Sequence, residues 1–231
     1  MNMSVTDADA VIADLTCGAL FYGMRSCEYL DTSGKESKKT KRLEVRDVRF
    51  FTKDWALVAH KNLETQGHRV EHMLVKYRTQ KNGEKDETIM NRRNGLDLDP
   101  VVIWMRIIKR LVKNPKTRPT TYINTVYVRG TDKSFRVTST MVINMLRNTV
   151  TIMGSERLGI PIKSIGTHSI RTSFAMMLNL NKKPDSFIMK QGRWKSSSFL
   201  KYIRNYVSAY GGDASSIIAR LDNEFVSFLH M

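Results

Sequence analysis

The chain has 231 residues, 41% of them hydrophobic, and 38 Lys+Arg against 22 Asp+Glu give a formal charge of +16 and a pI near 10.0. That length builds one sizeable core with an appendage, and the charge calls for a polyanionic partner such as nucleic acid, a merely basic protein being the plainer reading. Two cysteines, Cys17 and Cys27 on one predicted helical region, exclude a disulfide scaffold and a four-ligand metal site, and no apolar run approaches the ~20 residues of a membrane span. With no signal-peptide pattern at its start, the chain is expected to be soluble and intracellular.

Residues 6–30 carry Ala8, Val11, Ile12, Leu15, Ala19, Leu20 and Met24 at helical spacing, with Thr6 and Asp9 as caps, and predict one or two helices on a core. At their end Arg25 and Glu28 stand at i and i+3, the spacing of a helix-stabilising ion pair. The link Lys35–Arg42 contains Lys38, Lys39, Lys41 and Arg42, either a solvated loop or a contact to a nucleic-acid backbone. Four β-like segments follow, Leu43–Phe51, Trp55–His60, Val70–Arg78 and Thr88–Met90, the last two joined through Asn82-Gly83, a strong hairpin signal. Lys81 and Lys85 flank that turn.

A helix is predicted from Asp99-Pro100, with Lys109, Arg110 and Lys113 on a basic face, then a short strand over Ile123–Val128. Thr138 or Ser139 caps a helix through Met153 whose Met141, Val142, Met145, Leu146, Val150 and Ile152 read as core. Leu158-Gly159-Ile160-Pro161 breaks the chain ahead of Gly166-Thr167-His168-Ser169-Ile170-Arg171. His168 and Arg171, at i and i+3, converge a proton donor and a fixed cation on one anion. Gly192-Arg193-Trp194-Lys195 and Phe199-Leu200-Lys201-Tyr202-Ile203-Arg204 follow, placing a phenol among basic groups where it can act as a nucleophile. Tyr202, Tyr206 and Tyr210 share one helical face, so periodicity does not choose between them. A separate amphipathic segment, residues 213–231, closes the chain after Gly211-Gly212.

In this order, His-x-x-Arg, Gly-x-Trp and Tyr resemble the second conserved box of the tyrosine recombinases, the phage-integrase-like DNA strand-transfer enzymes, and look closest to the integrase-like proteins of eukaryotic mobile elements (Crypton and DIRS-like). The resemblance extends to Gly23-Met24-Arg25-Ser26-Cys27-Glu28, similar to the first box, and covers roughly residues 10 to 210. It implies an α+β, mostly helical catalytic domain over residues 1–212 with a small antiparallel sheet or hairpin near 43–91, and a tail, 213–231, docking on its own core or on a neighbouring subunit. Family members usually carry a further helical DNA-clamping domain before the first box.

The implied activity is site-specific cutting and rejoining of double-stranded DNA through a 3′-phosphotyrosyl intermediate, by a homo-oligomer assembled on DNA, in the nucleus if the source is eukaryotic. The implied catalytic set is Arg25, Lys81, His168, Arg171, Trp194 and Tyr202, with Glu28 in support and Lys85 the second choice for the lysine. Tyr202, eight residues after Trp194, lies closer to the family's interval than Tyr206. Arg193 and Lys195 join the basic link as candidate DNA-backbone contacts. No Walker loop, two-metal carboxylate spacing or zinc pattern is present, so neither cofactor nor metal is expected. A relative that binds DNA without cutting it is the alternative from another functional class.

Overall fold

The computed structural model describes residues 5–32, 40–81, 83–200 and 203. Helices α1 (Val5–Phe21) and α2 (Ser26–Tyr29) precede strands β1 (Val48–Thr52) and β2 (Leu57–Val58), helix α3 (Leu63–Gln66), and strands β3 (Val70–Thr79) and β4 (Lys85–Arg92). Helix α4 (Pro100–Val112) leads to strands β5 (Thr125–Tyr127) and β6 (Ser134–Arg136), then to helices α5 (Ser139–Met153), α6 (Ser155–Leu158), α7 (Thr167–Leu180) and α8 (Asp185–Gly192). The described residues thus form a mixed α and β fold with a four-stranded antiparallel sheet, order β2-β1-β3-β4, and a separate β5-β6 pair. The chain divides into two compact units, residues 1–174 and 175–231, with the boundary inside α7. The expected boundary at 212/213 lies outside the described residues, and no described helix is long and apolar enough to cross a membrane.

The core of the first unit follows from period. Val11, Ile12, Leu15 and Ala19 form one stripe of α1, and Ile103, Trp104, Ile107, Ile108 and Leu111 one face of α4. Phe50, Met73, Val75 and Ile89 alternate inward from the sheet to meet them. Each Val, Leu, Ile, Met or Phe among them contributes roughly 1.5–3 kcal/mol by leaving water. Trp104 is the largest, edge-on to Tyr22 at 5.8 Å with its indole N–H donating to the Gly18 carbonyl at 3.3 Å. Asp99 starts α4 by accepting from the Val101 and Val102 amides, and Thr138 starts α5 by accepting from that of Met141.

Several local expectations are corrected. Helix α1 begins at Val5, so Thr6 and Asp9 fall inside it. Cys17 and Cys27 sit on different helices, because the chain turns at Gly23 between them. Leu43–Asp47 is not strand: the Asp47 carboxylate accepts from the Glu44 amide at 2.8 Å and winds Val45–Asp47 into a 3-10 turn. Trp55–His60 shrinks to two paired residues because Trp55 turns the chain at φ 62°. Ile152 is 86% exposed, since it lies roughly 80° around α5 from the buried Val142. Arg110 leaves the basic face of α4 and donates to the Thr125 and Ile123 carbonyls at 2.7 and 3.3 Å; burial lowers its pKa to about 10. Strand β6 has no sequence signal beyond Phe135 in a polar stretch.

Candidate active site

The site starts where α1 stops. Gly23, at φ 51°, allows its own amide to bond the Leu20 carbonyl (3.1 Å) and that of Met24 to bond the Ala19 carbonyl (3.0 Å), a paired closure that satisfies the last carbonyls of the helix. A side chain at Gly23 would stand 2.6 Å from the Phe174 ring, so both the left-handed turn and the close approach require glycine. Two residues later Arg25, extended, enters α2. The Glu28 carboxylate, 1% exposed, accepts from the Arg25 amide at 2.8 Å and from its Nη1 at 2.9 Å. Glu28 thereby holds both the backbone and one prong of the guanidinium.

Arg171 reaches this turn from the far end of the unit. Its Nη1 donates to the Gly23 carbonyl, and the side chain is 2% exposed, with Ile170 and Phe174 buried beside it on α7. Two contacts therefore join the His-x-x-Arg helix to the Gly-x-Arg turn across nearly the whole of the first unit: the guanidinium on the carbonyl and the Phe174 ring on Gly23. Ser169 starts α7 by accepting from the Gly166 amide at 3.1 Å, and the preceding turn, Ile162–Ser164, is tied to α5 by Arg147, whose Nε donates to the Ile165 carbonyl at 3.1 Å. Sequence reasoning misses Arg147 and Phe174, because their spacing marks them only as helix residues.

His168, one turn before Arg171, keeps an exposed side. Desolvation of its other side, and then the Arg171 cation, hold its pKa below 6.5, so the ring is neutral at pH 7 and can both give and accept a hydrogen bond.

Lys81 and Lys85 are exposed at the β3–β4 hairpin. Among the described residues no hydrogen bond or ion pair joins Lys81 to Arg25, His168 or Arg171. The hairpin is nevertheless linked to α2 by one short stretch: the Lys41 amide donates to the Thr79 carbonyl at 3.0 Å and the Leu43 amide to the Glu28 carbonyl at 2.8 Å. Gln80, fully buried, donates to the Glu87 carboxylate and anchors the turn just before Lys81.

In the second unit α8 closes as α1 does, with the Trp194 amide on the Met189 carbonyl at 2.9 Å and that of Arg193 on Lys190 at 3.3 Å. Here Arg193, at φ 58°, takes the left-handed position. A side chain at Gly192 would collide with the Trp194 indole, and that ring lies 5.8 Å from the buried Phe199. Gly-x-Trp is thus a packing unit: the glycine is flat so that the indole can fold back on it.

Of the expected backbone contacts, Lys41 and Lys195 are exposed. Arg193 is 2% exposed and Arg42 is half-buried. Arg42 pairs with Asp31 and lies over the Tyr122 ring at 4.5 Å, and burial lowers its pKa. Lys38, Lys39, Tyr202, Tyr206, Tyr210 and residues 213–231 lie outside the described residues. No protein-family model, curated protein or solved structure matches the chain.

Proposed function

We propose that the chain is the catalytic part of a DNA strand-transfer enzyme of the tyrosine-recombinase type, similar to the integrase-like proteins of mobile elements. The observation that carries this reading is the bond from Arg171 to the Gly23 carbonyl, which sets the His168–Arg171 helix against the turn bearing Arg25. Two helix-surface pairs with unrelated structural roles have no reason to meet in this way. Two permanently charged, planar donors on a shared support are what a phosphodiester needs as charge builds on its non-bridging oxygens.

The reaction divides among the residues as follows. The Tyr202 oxygen attacks phosphorus and loses its proton, the cationic surroundings favouring the phenolate. The bond from phosphorus to the 5′-oxygen breaks, and Lys81 on the hairpin supplies the proton for the departing hydroxyl. Arg25 and Arg171 hold the phosphate oxygens while neutral His168 hydrogen-bonds to the same group; Trp194 supports the segment that carries the nucleophile. Because the phosphotyrosyl bond keeps the energy of the cleaved one, a 5′-hydroxyl attacking in reverse rejoins DNA without ATP.

The test is a nicked duplex that traps the cleaved product. The wild-type chain is expected to form a covalent protein–DNA adduct on the ends of its own element, and Tyr202→Phe to bind equally and form none. An adduct mapped to Tyr206 reassigns the nucleophile; binding without any adduct makes the chain a DNA-binding relative and overturns the catalytic reading.

A further inference from the structure

The sheet of the first unit covers the core with one face and presents rings and cations on the other. Register defines that outer face: Phe51 pairs with His72 and His72 with Arg92, while Arg49 pairs with Leu74 and Leu74 with Met90. Side chains alternate along a strand, so these residues point away from Phe50, Met73, Val75 and Ile89, which face the core. Trp55, in the β1–β2 turn, folds over two of them, Phe51 and His72. Its indole stacks on His72 with ring centroids 4.5 Å apart and planes within 6°, and leans on Phe51 at 5.8 Å.

The residue remains 52% exposed and its backbone is left-handed at φ 62°, a conformation bulky side chains take only where the surroundings impose it, often at binding sites. The same face and its turn also carry cations. Arg92 and Lys76 are engaged by Glu71 (3.4 Å) and Asp86 (2.8 Å), but the exposed Arg49 and Lys53 have no ion-pair partner among the described residues.

We propose that this face binds single-stranded DNA, an unpaired base stacking on the indole of Trp55 and the backbone phosphates meeting Arg49 and Lys53. A rigid exposed ring beside uncommitted cations fits a polyanion whose every unit carries a π-face. A protein partner laid on this face would have to desolvate Arg49, which a phosphate instead neutralises. The choice of DNA over RNA rests on the strand-transfer reading, in which cleaved strands must pass through an unpaired state; the ring and the cations do not.

The experiment titrates the full chain against a labelled oligo(dT) of about 12 nucleotides, within the site sizes such surfaces span. Binding is expected to quench tryptophan emission, and Trp55→Asn, chosen because asparagine tolerates the left-handed backbone, to weaken binding about tenfold. Arg49→Ala should lower the salt slope by about 0.7, the value for one phosphate of a single strand. Inorganic polyphosphate, a polyanion without rings, should compete poorly and leave emission unchanged, and this comparison on the wild-type protein decides the matter if Trp55→Asn does not fold.

No binding of oligo(dT), equal binding by a folded Trp55→Asn, or equal competition by polyphosphate overturns the proposal; tighter binding of oligo(U) overturns the choice of DNA. Oligo(dT) binding without a phosphotyrosyl adduct sinks the catalytic reading alone, and an adduct without oligo(dT) binding sinks this one alone.

Discussion

Arg171 combines two tasks that a lysine separates. One prong of its guanidinium fastens α7 to the Gly23 carbonyl, and in the proposed reaction the same rigid fork meets the phosphate. A lysine keeps the charge but is a point donor and cannot hold two partners in one plane. Arg171→Lys is therefore expected to abolish adduct formation while duplex affinity changes less than about threefold, since one charge remains. Filter binding beside adduct yield checks this, and a parallel loss of both would make Arg171 an anchor of the backbone alone. Glu28 combines tasks in the same way on the other arginine: one carboxylate orients Arg25 through its amide and its Nη1 together.

At the level of elements, the sheet is pinned to the chain that follows β2 by His60. Its Nε2 lies 2.7 Å from the Val48 carbonyl and its ring edge-on to Phe50 at 5.9 Å. The carbonyl accepts only from a ring nitrogen carrying a proton, and burial then keeps the other from gaining one, so the pKa falls below 6.5. A lowered pKa in the fold means that the unfolded chain binds more protons below pH 6.5. The contribution is thus fully present above that pH and is lost as pH falls from it toward the folded value. His168, also lowered, acts in the same direction. His60→Gln keeps a donor for Val48 and costs about 1 kcal/mol at pH 7.5. Its stability should fall less than that of the wild type between pH 7.5 and 5. Urea melts at the two pH values read this, and an unchanged difference would locate the titration elsewhere.

For the whole molecule, a charge of +16 gives any polyanion a long-range attraction that does not depend on the site. Separating true contacts from that field requires salt. Neutralising Lys38, Lys39 and Lys41 together is expected to weaken binding to all duplex sequences and to lower the dependence of log affinity on log salt by about 0.9 for each phosphate these lysines neutralise. Arg42 is left out of that set because it pairs with Asp31 and lies over the Tyr122 ring, so its removal would disturb the fold as well as the charge. A slope that does not move returns the link to the role of a solvated loop.

The helices α1, α4 and α5 and the β3–β4 hairpin are legible in the sequence because their signals are local: apolar residues at helical period, Asp99 and Thr138 at the first turns, and a turn dipeptide between alternating strands. The pairs Arg25–Glu28 and His168–Arg171 are legible as spacing, because three residues are about one helical turn, whether the first stands at the cap or within the helix. What spacing does not carry is which of two like residues is committed to the fold. Arg42, Arg110 and Arg193 read as surface cations, and only the three-dimensional arrangement shows them engaged with Asp31 and Tyr122, with two carbonyls, and in a left-handed helix end. The same limit applies to Gly23 and Phe174, which meet only because the two ends of the first unit come within van der Waals reach of each other. Period and capping arise within a few residues, so the sequence alone determines them; the burial of a charge and the partner of a carbonyl arise from distant segments, and tertiary structure alone decides them.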